Sequence, residues 1–195
     1  DDKYPIPLIS DIFHKLSGCT IFTTLDLTAA FHHFKIHEQD RPKTAFTYND
    51  QQYMFVGAPF GLKFLSNVFQ RVMSTIFADM PFVQCFVDDV VIFSTNLNDH
   101  LHHVKAAIKA LTRVNLILNT DKCHFAQNYV YLLGFCISAK GSSLDTRKLT
   151  NIDSWPRPTK GVDIQRFLGV VNYFREHIPK TASLTAPLDF LRNSK

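Results

Sequence analysis

With 195 residues, 46% of them hydrophobic and 19% charged, the chain is long enough to bury one sizeable core and too apolar to read as disordered. No apolar run approaches the length of a bilayer crossing, and the four cysteines are scattered without a C-x-x-C pair, which argues against a spanning helix, a disulfide framework and a zinc site. A net charge of +4 permits a polyanionic partner without demanding one.

The chain opens on DDKYPIP, neither a signal peptide nor a natural initiator, so a piece of a longer protein is expected. Ile6, Ile9, Phe13 and Leu16 then recur at the spacing of an amphipathic helix that Gly18 ends. Residues 20–27, TIFTTLDL, are β-branched and aromatic and predict a strand with Asp26 near its end. FHHFKI and KTAFTY read as two further strands, and Asn49-Asp50 as a hairpin turn leading into QYMFV. Gly57, Pro59 and Gly61 mark a loop feeding a helix with apolar positions at Leu65, Val68, Phe69, Val72, Met73 and Ile76. FVQCFV and VVIFS are short apolar runs separated by two residues, the layout of a tight hairpin with Asp88-Asp89 at its tip. A second long helix follows, with Asn98 or Asp99 as N-cap and Leu101, Val104, Ala107, Ile108 and Leu111 as its apolar face.

YVYLLGFCIS reads as a strand, and from about residue 142 the pattern turns helical, broken by Pro156 and Pro158. The later of these helices carries Val162, Phe167, Leu168, Val171 and Phe174, and a small helical subdomain is expected. The central order of strand, helix, hairpin, helix and strand fits an α+β fold, an antiparallel sheet with helices on one face.

The chemical anomaly is CFVDDVVIF, residues 85–93, where two aspartates stand side by side between apolar runs. Carboxylates taken out of water repel each other and need a compensating partner: a cation, an open turn or a metal ion. If the strand ending near Asp26 neighbours the Asp88-Asp89 hairpin, three carboxylates converge at one sheet edge. Hard oxygen ligands of this kind suit Mg2+ bound partly through substrate phosphates. Two such ions, about 3.5–4 Å apart, would activate a hydroxyl and stabilise a leaving oxygen in phosphoryl transfer. From spacing alone, solvated turn acids are an equal reading. His32, His33, His100, His102 and His103 read as surface decoration, since no third ligand type sits at metal spacing.

The segments LDLTAAFHHFKI, APFGLKFLSNVFQ, FVDDVVIFS, NTDKCHF and LLGFCIS, followed by WPRPT, FLGVVNYFREHIP and APL, stand in the order and spacing of reverse transcriptases. Over essentially its whole length the chain resembles the reverse transcriptase domain of Gypsy-type (Metaviridae) long-terminal-repeat retrotransposon Pol polyproteins. The resemblance implies a right-hand polymerase palm with partial fingers and the start of a helical thumb. Its boundaries would be palm over residues 1–33 and 65–141, fingers insertion over 34–64, and thumb or connection over 142–195.

It also implies roles. Asp26 and Asp88 match positions that bind two catalytic Mg2+ ions, with Mn2+ as the alternative; Asp89 matches the accessory third acid, and Leu27 is counted at the metal site with them. Leu27 and Thr28 fall where backbone amides approach an incoming deoxynucleoside triphosphate. Phe31 matches the bulky gate that stacks under the deoxyribose and clashes with a 2′-hydroxyl; out of context it reads as a core aromatic. Phe60 and Gly61, in PFGL, match the loop against the template and incoming base, with Gly61 allowing close backbone approach. Retroviral enzymes have Gln where this chain has Phe60, whereas the Gypsy-type pattern has Phe. Lys122 matches the lysine that protonates the leaving pyrophosphate. Phe86 and Val87, beside the acids, and Leu133 and Gly134, in the LLGF hairpin, match primer and template contacts; without that context LLGF reads as core strand.

Two departures accompany the likeness. Phe86 stands where the family usually has Tyr, so a hydroxyl that contacts the primer end is missing. The family's basic N-terminal fingers strands are expected ahead of this chain, and Lys3, Arg41 and Lys43 are not evident replacements. The implied function is RNA-directed DNA polymerase, adding deoxynucleotides to a primer 3′-hydroxyl on an RNA or DNA template. The implied setting is a polyprotein with RNase H and integrase regions, cytoplasmic within retrotransposon particles and away from membranes. The alternatives are a catalytically idle nucleic-acid-binding fragment and, outside polymerases, a palm-type cyclase or metal-dependent nuclease, against which LLGF and PFGL argue.

Overall fold

A computed structural model describes residues 4–149 and 154–192, so Lys3 and the part of the expected tail helix over 150–153 lie outside the described residues. In α1 (Ile9–Leu16), Ile12 and Leu16 are buried at i and i+4, while Ile6 precedes the helix; Gly18, at φ +78, follows its end. β1 (Ile21–Leu25) forms as its β-branched residues require.

FHHFKI departs from expectation. Ala30–His33 make a 3-10 turn entered through Ala29 at φ +49, which lets Phe31 and Phe34 both pack on Phe69, at 5.0 and 5.8 Å between ring centroids. Burial of two aromatic rings on a third outweighs the local strand preference. A second 3-10 helix, Glu38–Thr44, takes the first part of KTAFTY and leaves β2 (Phe46–Tyr48) and β3 (Gln51–Tyr53) as a short hairpin. Asn49 and Asp50 join them at φ +48 and +58, the type I′ pair that suits strand twist.

α2 (Leu65–Ile76) buries Leu65, Phe69 and Met73, and with them Gln70. β4 (Val83–Phe86) and β5 (Asp89–Ser94) pair with Phe86 opposite Asp89. The two loop residues are therefore Val87 and Asp88, one step earlier than the Asp88-Asp89 tip expected, and Asp89 is the first residue of a strand. α3 (Leu97–Arg113) is capped by Asn96, neither Asn98 nor Asp99: Asn96 Oδ1 accepts from the Asp99 amide at 3.0 Å, and Asn96 Nδ2 donates back to Asp99 Oδ2 at 2.6 Å.

β6 (His124–Gln127) carries no legible strand signal. Leu133 and Gly134, at φ +54 and +83, divide YVYLLGFCIS into β7 (Tyr129–Leu132) and β8 (Phe135–Ser138), and β9 (Gly141–Leu144) completes a three-stranded sheet in the order β7-β8-β9. The tail holds α4 (Thr146–Leu149), α5 (Gly161–Tyr173) and α6 (Thr181–Asp189). α5 buries Gly161, Ile164 and Leu168, whereas Val162 is exposed and Phe174 caps the helix.

By its contacts the chain forms two units, Asp1–Leu132 with Ile137–Gly141, and Leu133–Cys136 with Ser142–Lys195. The first is built on an antiparallel sheet in the order β4-β5-β1-β6. Leu25, Val83, Cys85, Val90 and Ile92 of that sheet share one core with Phe69 and Met73 of α2 and Ala107 and Leu111 of α3, so both helices cover one face.

His100 is 1% exposed and so is no surface decoration. Its Nε2 pairs with Thr23 Oγ1 at 2.7 Å and its Nδ1 with Ser94 Oγ at 2.8 Å, tying α3 to β1 and β5. Ser94 Oγ also meets His103 Nδ1 at 2.8 Å, and the His103 ring stacks on Phe82. Burial, then the neighbouring His103, lowers the pKa of His100 and keeps the ring neutral. Among the described residues no helix is long and apolar enough to cross a membrane.

Candidate active site

The register of β1 and β5 brings the acids together. Leu25, the last residue of β1, pairs with Val90, so Asp26 follows directly on one partner and Asp89 directly precedes the other. Asp88 occupies the hairpin loop beside them. Burial raises the Asp88 carboxyl above the usual carboxylate range, and the charges of Asp89 and Asp26 push it further the same way. Asp88 therefore lies close enough to Asp89 and Asp26 to feel both charges.

Both backbone polar groups of Asp26 are held by the segment 119–123. The Asp26 amide donates to Cys123 Sγ at 3.4 Å, and the Asp26 carbonyl accepts from the Asn119 amide at 2.9 Å. Leu27 and Leu118 form an isolated antiparallel bridge, and the Thr28 amide donates to the Ile117 carbonyl at 2.8 Å. Residues 26–28 therefore continue β1 as a ribbon paired with 117–119. In that pattern the Thr28 amide is engaged, whereas the Leu27 amide points away from the partner segment. Lys122 is exposed at the end of the 3-10 turn Thr120–Lys122, between the two residues that hold the Asp26 backbone.

Among the described residues, no three His, Cys, Asp or Glu side chains are gathered tightly enough to form a metal site by themselves. Mg2+ does not ask for a protein cage: one or two carboxylates suffice when waters and substrate phosphates complete the octahedron. An acid whose charge is raised in energy by two other acids supplies the oxygen donors and the uncompensated charge such an ion relieves, so the residues present fit it.

Phe31 is 7% exposed, with its ring edge-on to Phe60 at 5.6 Å as well as tilted on Phe69. Phe60 is 71% exposed, the most open ring of this cluster. Gly61 sits at φ +94 with open space where a Cβ would be, so its constraint is conformational. Within the chain itself the close backbone approach is at Gly57, where a Cβ would stand 2.3 Å from the His32 carbonyl oxygen. Phe86 is half-buried at the end of β4, and Val87, at φ +51, donates its amide to Gln70 Oε1 at 2.8 Å.

Leu133 and Gly134 belong to the second unit. There the Leu133 carbonyl accepts from Tyr173 Oη at 2.7 Å, the Gly134 carbonyl accepts from the Asp145 amide at 3.0 Å, and a Cβ on Gly134 would touch the Phe174 ring at 3.4 Å. Sequence reasoning missed Asn119, Cys123 and Gln70 as supports of the site. The only signal available was a polar residue inside an apolar helical face for Gln70, and a core-like thiol for Cys123.

A four-stranded antiparallel sheet with two helices on one face and acids at the ends of its two central strands has the architecture of a polymerase palm, and solved structures share it. The foamy viral protease-reverse transcriptase in complex with RNA/DNA hybrid superimposes with a TM-score of 0.86 over 97% of this chain and 26% of that one, at 23% identity. The same viral protein in complex with dsDNA gives 0.82 over 92% of this chain and 38% of the other, at 23% identity.

Residues 1–137 match the family described as reverse transcriptase (RNA-dependent DNA polymerase), and the chain belongs to that family. It is 37% identical over 189 residues to the retrovirus-related Pol polyprotein from transposon 297 of Drosophila melanogaster, and 36% identical over 190 residues to the transposon Tf2-3 polyprotein of Schizosaccharomyces pombe. Each match covers 96% of this chain but only 18% and 14% of the respective relative, so the chain spans less than a fifth of their length.

Proposed function

We propose that this chain is the polymerase segment of a retrotransposon polyprotein and carries RNA-directed DNA synthesis from a primer 3′-hydroxyl. The observation that carries the reading is the register of β4, β5 and β1, which sets Asp88 in the hairpin loop at the end of the sheet where β5 begins at Asp89 and β1 runs into Asp26. Bound divalent ions, Mg2+ or Mn2+, would activate the primer hydroxyl and offset charge on the phosphates. Asp26 and Asp88 would hold them, Asp89 would add negative charge beside them, and the backbone of Leu27 would border the same site. The Leu27 amide is the one free to meet the triphosphate, since that of Thr28 is engaged. Lys122, carried on the segment that fixes Asp26, donates a proton to the leaving pyrophosphate. Phe31 limits the space under the sugar, and Phe60 and Gly61 lie against the templating base. Phe86 and Val87 meet the primer end beside the acids, and Leu133 with Gly134 grips the primer.

The same reading takes residues 1–33 and 65–141 as palm, 34–64 as fingers and 142–195 as the start of a thumb. Its partners are a primed RNA or DNA template and deoxynucleoside triphosphates, with RNase H and integrase regions in the same polyprotein and a cytoplasmic particle as the setting. Contacts to the template are to backbone and shape, because a copying enzyme accepts any sequence.

Primer extension on an RNA template with Mg2+ tests this, comparing the chain, a version extended at its N-terminus, and Asp88→Asn in each. Incorporation by wild type and none by Asp88→Asn is the expected result. If both wild-type lengths fold and bind primer-template yet extend nothing, the chain is a nucleic-acid-binding fragment without catalysis.

A further inference from the structure

Gln70 lies on the apolar face of α2 and is 1% exposed, where Leu or Met would serve packing alone. A buried amide is tolerated only with partners, and this one has them on β4. Its Nε2 donates to the Cys85 carbonyl at 3.1 Å and its Oε1 accepts from the Val87 amide at 2.8 Å, while Ser74 Oγ lies 3.5 Å from Nε2. β4 is an edge strand, so the carbonyl of one residue and the amide two residues on face outward with no neighbouring strand. In a sheet, one residue of an adjacent strand would satisfy both; here a side-chain amide, with the same donor and acceptor, does so.

The second Gln70 bond falls on the one residue of the hairpin in an unfavourable conformation. Val87 sits at φ +51, a region a β-branched residue occupies only when its surroundings hold it there. Two-residue hairpin loops normally place Gly, Asn or Asp at such a position. The next residue is Asp88.

We infer that Gln70 is a positioning residue of the acid site: its side-chain amide substitutes for a missing strand along β4 and clamps the Val87-Asp88 loop in the conformation that presents Asp88. The inference rests on Asp88 being a metal ligand. The same helix carries Phe69 against Phe31, so α2 supports the acid loop and the aromatic cluster together.

Mn2+ binding to the folded chain, read from the paramagnetic resonance signal of the free ion, tests the clamp without requiring catalysis. Wild type is compared with Asp88→Asn, which defines the Asp88-dependent binding. Gln70→Leu is expected to weaken that binding roughly 10–100-fold, as loss of a supporting hydrogen bond does at metal sites. Adding Val87→Gly to Gln70→Leu is expected to restore most of it, because Gly keeps a positive φ without a clamp. A role of Gln70 in packing alone would not be rescued by a loop glycine. Gln70→Met, closer in shape, is read identically should Leu prevent folding. Equal Mn2+ affinity in wild type and the folded Gln70 variant overturns the inference alone, as does failure of Val87→Gly to restore binding. Absence of any Asp88-dependent Mn2+ binding in wild type overturns the metal-site reading and this inference with it.

Discussion

Replacing Phe31 by Ala should cost the protein stability and sugar selectivity together. The ring is 7% exposed and makes aromatic contacts at 5.0 Å with Phe69 and 5.6 Å with Phe60. Truncating a buried Phe to Ala removes about 3–5 kcal/mol, the larger losses belonging to sites that cannot collapse. Phe60 beside it is 71% exposed, so the space left is bordered by solvent rather than sealed as a void, which places this site near the low end, about 3 kcal/mol. For a chain of this size, 1 kcal/mol moves Tm by about 2–4 °C, so a fall of about 6–12 °C is expected. Thermal unfolding followed by circular dichroism measures the first effect. Primer extension with matched ribo- and deoxynucleotides measures the second, and relative ribonucleotide use should rise as the space under the sugar opens. A Tm change below about 2 °C would show that the ring does not pack as the structure has it. An unchanged nucleotide preference in a variant that still extends primers would refute the gate.

Two further outcomes follow from titration. The folded pKa of Asp88 is raised, so the folded chain holds more protons than the unfolded one between the ordinary carboxylate value and the raised one; stability falls as pH rises through that window and stays lower at neutral pH. Asp88→Asn should therefore melt higher than wild type in EDTA at pH 7, and Mg2+ should raise the Tm of wild type more than that of the variant; a lower-melting variant in EDTA refutes the electrostatic account. His100 behaves oppositely: its folded pKa lies below the ordinary 6.5, so the unfolded chain takes up protons first and stability is lost as pH falls from 6.5 towards the lowered value. His100→Leu, which removes two side-chain hydrogen bonds, should cost about 2 kcal/mol at pH 7 and show a flatter decline on acidification. Urea melts at pH 7 and pH 5 that decline in parallel for both proteins would show that His100 is not the group responsible.

Much of the palm was legible because its signals are local. Asn49-Asp50 specifies a tight turn through its own backbone preferences, the 65–76 segment shows its apolar period, and the apolar runs around Asp88-Asp89 announce a hairpin with acids where a core would not tolerate them. Ordered segments such as FVDDVVIFS and PFGL carried the family likeness. Tertiary structure alone decided the rest. Whether Asp89 is a loop or a strand residue depends on which residue faces Phe86, a register that a two-residue spacing does not specify. FHHFKI gives up its strand because Phe31 and Phe34 find Phe69 more than thirty residues away. His100 looks like a solvent-facing polar residue and Gln70 like a misplaced one until their partners arrive, Thr23 and Ser94 for the first, Cys85 and Val87 for the second. Backbone preference is written within a few neighbouring residues, whereas the burial of a polar side chain is set by groups that only the folded chain brings within hydrogen-bonding distance.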